Sequence, residues 1–150
     1  PLLHKFVLFN VAFSFFYLGF LVFFPLGQNP ILRLMVGFLI GLYIDLFSNT
    51  PGLHASVCTF IMLFRDTWLR AILEHQKGVL DINIYILKMR GVWLYILPLI
   101  FIHHLMIFWI NYGSWMGLFM TFDQILASTI FSLLSILLIN MVISKKPIRI

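Results

Sequence analysis

Apolar residues run in long blocks along this chain, and polar residues collect in the gaps between the blocks. A helix needs about 20 apolar residues to cross the hydrocarbon core of a bilayer. The first block, residues 6–24, carries no charge and ends at Pro25-Leu26-Gly27-Gln28-Asn29-Pro30. A helix does not readily cross a stretch so rich in turn residues. The second block, 31–47, has Arg33 near its start and Asp45 near its end. Ser48-Asn49-Thr50-Pro51-Gly52 follows it, where Asn and Ser cap, Pro fixes φ and Gly admits positive φ. The third block, 53–70, is apolar to Phe64 apart from small polar residues, then meets Arg65, Asp66 and Arg70. On its own the apolar part suits a re-entrant segment, but Trp68 and snorkelling arginine extend it to a full span. Residues 71–90 are polar, and within them 79–85 alternates as a segment lying on the membrane surface does. The fourth block, 91–110, contains Pro98, which bilayer helices tolerate and which predicts a kink. The uncharged turn Asn111-Tyr112-Gly113-Ser114 leads to the fifth block, 120–143, and Lys145, Lys146 and Arg149 close the chain.

The pattern predicts an all-α fold, a polytopic membrane helical bundle forming a single transmembrane domain over residues 1–150. Five spans are visible, at about 6–24, 31–47, 53–70, 91–110 and 120–143. The chain begins at Pro1, so residues preceding it are expected.

Composition strengthens this reading. The chain is 62% hydrophobic and 10% charged, with a mean hydropathy of +1.04, against about 45–50% and about 25% for soluble domains. A soluble fold of this length cannot hide that much apolar surface. The net charge of +5 does not point to nucleic acid, because the charges lie between apolar blocks rather than on one face. They report topology instead. Five Lys/Arg lie between residues 65 and 90 and three in the tail, while the turns at 48–52 and 111–118 hold none. The 65–90 connection, the tail and the turn at 25–30 are therefore expected in the cytoplasm, and the uncharged turns outside. The lone Cys58 lies in an apolar stretch and reads as a small buried hydrophobe.

Arg33, Gly37, Gly41 and Asp45 follow one another at intervals of four and share one helix face. The Gly37/Gly41 pair lets another helix approach the backbone closely, either within this chain or from another subunit. A membrane carboxylate such as Asp45 marks a functional site by default, yet Ser48, Asn49 and Thr50 also offer it a structural place at the helix end. His103 and His104 are adjacent, about 100° apart on a helix, so they do not chelate one metal together and read as interhelical hydrogen-bonding groups. Ser128, Ser132 and Ser135 share a face of the fifth span and read as helix-packing residues. No base lies near these serines in sequence except Asp123, which argues against a nucleophile. Nothing resembles a phosphate loop, an HExxH helix or a GxSG protease motif, so no metal, cofactor or enzymatic activity is expected.

The stretch 37–55, with Gly37-x3-Gly41-x3-Asp45, the turn Ser48-Asn49-Thr50-Pro51-Gly52 and then His54-Ala55, resembles the signature region of the rod shape-determining protein MreD family. Ile102-His103-His104-Leu105 resembles one branch of it. The resemblance implies a six-helix protein of the bacterial inner membrane, the first helix preceding Pro1, without catalytic activity. It implies membership of the cell-wall elongation complex and a fold like the substrate-binding membrane subunit of vitamin transporters. The implied partners are MreC, then MreB, RodA and its transpeptidase, with membrane lipid. A partner or helix-packing face is expected at Arg33, Gly37, Gly41, Asp45, Asn49, Pro51, Gly52 and His54. A substrate-binding subunit of a small-molecule transporter is the alternative function, with Asp45, His103 and His104 lining its cavity.

Overall fold

The computed structural model describes residues 6–8, 12–14, 17–25, 28–74 and 92–144. The surface segment expected at 79–85 and the basic residues of the tail lie outside them. Helix dominates. Helices α1 (Tyr17–Phe23), α2 (Pro30–Ser48) and α3 (Leu53–Glu74) are followed by a π-helical turn, Val92–Ile96, that leads into α4 (Leu97–Tyr112). Then come the short α5 (Trp115–Met120) and α6 (Phe122–Ser144).

The first expected span is corrected. Residues 6–24 do not form one helix: β1 (Phe6–Leu8) pairs antiparallel with β2 (Ala12–Ser14), Val7 opposite Phe13, and helix begins only at Tyr17. A short apolar run rich in Phe and Val fits a strand as well as a helix, and periodicity does not separate the two. Three of the described helical segments are long and apolar enough to cross a membrane: Pro30–Ser48, Val92–Tyr112 and Phe122–Ile139. They mark a membrane protein. α3 is not among the three; it carries Arg65, Asp66 and Arg70. It nevertheless runs unbroken for 22 residues, about 33 Å at 1.5 Å per residue.

α2 and α3 form an antiparallel hairpin. Asn29 opens α2 by accepting from the Ile31 amide at 2.9 Å, with Pro30 at the first helical position. Asn49 closes it in the left-handed region (φ 55°), donating its amide to Asp45 O. Packed on the hairpin is a core of Leu18, Leu21 and Val22 from α1, Cys58 and Met62 from α3, and Tyr95, Ile96, Leu99 and Ile100. Ile136 of α6 joins the same core. Val57 and Ile61, in the first half of α3, pack with Ile107 near the end of α4. The turns at 48–52 and 113–114 therefore share one end of the bundle. Arg33, Arg65 and Arg70 share the other.

Pro98 has a visible consequence. Proline has no N–H, so the carbonyl four residues earlier loses its helical donor. That carbonyl belongs to Leu94, and the indole Nε1–H of Trp68 donates to it at 2.9 Å. The π-helical turn ends two residues before Pro98. Trp68→Phe keeps the ring and removes the donor, and it is expected to cost about 1 kcal/mol. In a Pro98→Ala background, where residue 98 regains its N–H, the same change is expected to cost much less. Unfolding of the four proteins in detergent measures the difference, and equal costs in both backgrounds would contradict the account.

Candidate functional site

Two polar clusters cap the ends of the α2–α3 hairpin, and a third lies between them. The stripe Arg33, Gly37, Gly41 and Asp45 is buried along its whole length against α3 of the same chain. A methyl group on Gly37 would lie 2.7 Å from Met62 Cγ, and one on Gly41 only 2.4 Å from Ala55 Cα and from His54 O. The glycines let the two backbones touch. In this structure Gly37 and Gly41 pack against α3 of the same chain, against Met62, Cys58, His54 and Ala55.

At the uncharged end, Asp45 is the hub. Its Oδ1 accepts from the His54 amide (2.9 Å) and the Thr50 hydroxyl (2.9 Å), and its Oδ2 accepts from the Ala55 amide (3.0 Å). His54 Nδ1 lies 3.0 Å from Oδ1. A carboxylate has no proton to give, so Nδ1 carries the hydrogen. His54 and Ala55 are the second and third residues of α3, whose first amides lack helical acceptors. Asp45 thus caps a helix other than its own, where the positive end of the α3 dipole favours its charge. Gly52 (φ 81°) supplies the left-handed residue that brings the chain back in time. Asn49, Pro51 and Gly52 are exposed, whereas His54 is buried.

At the opposite end, Arg65 is wholly buried. Its terminal nitrogens donate to the carbonyls of Leu21 and Phe24, and its Nε donates to Asp66 Oδ1 at 3.1 Å. A cation thereby closes the C-terminus of α1, whose last carbonyls have no helical donors. Tyr95 adds a donor to Val22 O at 3.2 Å. Arg33 Nη1 donates to the second oxygen of Asp66. A lone carboxylate or guanidinium inside a bilayer protein is costly; here each charge meets an opposite charge or a helix end.

The middle cluster joins α1, α4 and α6. His103 and His104 are both fully buried and point to different helices, as adjacent helical residues must. His103 Nε2 lies 3.0 Å from the Tyr17 hydroxyl, and His104 Nε2 lies 3.1 Å from Ser132 Oγ. The Tyr17 ring also meets His54 edge-on, with centroids 6.3 Å apart, so the middle cluster adjoins the Asp45 cap. Ser128 is buried on the same face of α6 as Ser132, and Ser135 Oγ donates to Phe131 O of its own helix at 2.8 Å.

The His104–Ser132 pair is invisible in the sequence, where 28 residues separate them. A serine beside a histidine resembles a nucleophile and its base, but the surroundings assign it another part. Ser132 lies in the middle of α6 with its amide in the helical ladder, so that amide is not offered to an oxyanion. Neither residue has surface exposed. The pair is a cross-link between two helices. Among the described residues no group of three His, Cys, Asp or Glu side chains is placed to hold a metal.

Comparison of the chain with protein-family models, with curated proteins and with solved structures finds no match.

Proposed function

We propose that the chain is a non-catalytic membrane scaffold of bacterial cell-wall elongation and a binding partner of an MreC-type protein. The observation that supports this reading is that the residues of the 37–55 stretch carrying the family resemblance form one physical unit. Gly37 and Gly41 let α2 and α3 touch, Asp45 ties the turn at 48–52 to the start of α3, and Thr50 and His54 complete the tie. That unit is a closely packed hairpin whose two backbones touch, a form suited to a protein that acts through its surface. Its inner face is filled by the chain itself. The partner contact then falls to the exposed turn residues Asn49, Pro51 and Gly52 and to the exposed side of α2, where Phe38, Leu42, Tyr43 and Leu46 point outward.

In this reading α3 crosses the bilayer beside α2, and the protein lies in the inner membrane. The arginine end and the C-terminus face the cytoplasm, in keeping with the positive-inside rule. MreB, RodA and its transpeptidase belong to the wider assembly.

The test is purification of the tagged protein from its native membrane, with mass spectrometry of what comes with it. Recovery of an MreC-type protein and elongation enzymes is the expected result. Recovery of an ATPase module without wall proteins would overturn the proposal and favour the transporter reading, for which Tyr17, His103 and His104 would be the first residues to substitute.

A further inference from the structure

The short helix α5, Trp115–Met120, joins α4 to α6 at the uncharged end of the bundle. No Asp, Glu, Lys or Arg occurs from residue 91 to residue 122, so the helix and both its flanks are free of charge. Trp115, Met116, Phe119 and Met120 are between 64% and 77% exposed. At 100° per residue these four side chains fall within about 140° of arc. Gly117 points away from them: a methyl group there would lie 2.8 Å from Tyr112 Cβ and 3.1 Å from Ser114 Oγ. One side of α5 thus rests on the end of α4. The other presents four large apolar side chains that the described residues leave uncovered.

The depth of that side is set by the turn before it. Gly113 (φ 63°) donates its amide to Trp109 O and ends α4. The Trp115 ring then stands 4.5 Å from the Trp109 ring, centroid to centroid. Trp109 lies about 4.5 Å down the axis from the last residue of α4, at 1.5 Å per residue. The chain therefore folds back beside the last turn of α4 instead of projecting beyond it. That turn closes Val92–Tyr112, a segment long and apolar enough to cross a membrane, and Trp109 and Ile110 on it are exposed as well. The apolar flank of α4 continues onto α5 at the depth where the span ends. Tryptophan gathers at that depth, with its ring in the apolar layer and its N–H among the headgroups. A protein partner would need a polar rim, and the outward side of α5 offers none beyond the Trp115 N–H.

We propose that α5 is an interfacial helix, set in the leaflet at the uncharged end with Trp115, Met116, Phe119 and Met120 sunk between headgroups and acyl chains. Interfacial helices bury their apolar side about 5–10 Å into this boundary. The connection between α4 and α6 is then a contact with the lipid surface and not a loop in water. No charge on α5 selects one headgroup over another, so the contact is with the leaflet itself. The inference rests on the membrane character of the chain and not on the choice of protein partner, so the two tests fail independently.

The experiment is electron paramagnetic resonance of the full chain in phosphatidylcholine vesicles, with a nitroxide attached to Met116→Cys or to Phe119→Cys. Cys58 is buried, and the unsubstituted chain sets the labelling background. Oxygen concentrates among acyl chains and a nickel chelate stays in water, so the ratio of the two collision rates reads depth. Leu39→Cys, exposed midway along α2, gives the deep reference. Pro51→Cys, in the exposed turn at the same end as α5, gives the shallow one. Labels at 116 and 119 are expected to favour oxygen, with a ratio between the two references and a depth of about 5–10 Å. A ratio equal to that of Pro51→Cys would place α5 in water and overturn the proposal. Shielding from both reagents, with spin–spin broadening, would mean that a second copy of the chain covers α5 and would overturn it equally. If one variant fails to fold, the other decides.

Discussion

Gly41→Ala is expected to destabilise the protein by roughly 3 kcal/mol, at the upper end of overpacking costs, and Gly41→Leu is expected to prevent the fold from forming. The added Cβ would lie 2.4 Å from Ala55 Cα, 2.4 Å from His54 O and 2.6 Å from Ala55 N. All three are backbone atoms at the start of α3, so no side chain can swing aside. The helices must part, and parting them also pulls Asp45 away from the amides it caps. Gly37 offers a graded comparison: its nearest neighbour is Met62 Cγ at 2.7 Å, a flexible side chain, although Cys58 O lies behind it at 3.1 Å. Gly37→Ala is therefore expected to cost less than Gly41→Ala. Gly19→Ala is the control, because its new methyl would meet Ile136 Cγ1 at an ordinary 3.5 Å. Higher helix propensity is expected to leave that variant within about 1 kcal/mol of the parent, on the stable side. Unfolding of the three variants in mixed detergent micelles should rank them in this order. A Gly41→Ala protein as stable as the parent would mean that α2 and α3 do not touch here.

Asp45→Leu is the second large effect, expected at about 3 kcal/mol or more. The substitution strips the acceptor from the His54 and Ala55 amides, from the Thr50 hydroxyl and from His54 Nδ1 at once. Those donors sit at a buried helix start, where an unmet group bears its whole desolvation penalty. Asp45→Asn keeps one acceptor oxygen and turns an NH₂ toward the remaining donors, so roughly half the loss is expected. Asp45→Leu should also loosen the 48–52 turn, which limited proteolysis between Ser48 and Leu53 would report. The same variant separates two roles for this carboxylate. Lost stability marks the cap described above. Unchanged stability with lost partner binding would instead mark Asp45 as part of an interface, against the geometry.

Much of this was legible along the chain. The blocks around residues 31–47, 91–110 and 120–143 announced helices able to cross a bilayer, because burying so many apolar side chains in lipid leaves few other backbone solutions. The spacing of Arg33, Gly37, Gly41 and Asp45 announced one helix face, and the turn chemistry of Asn49 and Gly52 announced where the chain reverses. The separate directions of His103 and His104 followed from helix geometry alone. Residues 6–14 misled, because a short run of Phe and Val carries no period long enough to separate strand from helix.

Sequence alone determined the apolar blocks, the polar gaps and the four-residue stripe, since these depend on local spacing and on side-chain solubility. Tertiary structure decided the partners. Asp45 finds amides nine and ten residues away, Arg33 meets Asp66, Arg65 reaches back to the carbonyls of Leu21 and Phe24, and His104 meets Ser132. A charge or hydroxyl inside a bilayer must be satisfied by some other group, but which group depends on how the helices cross, and no local pattern records that.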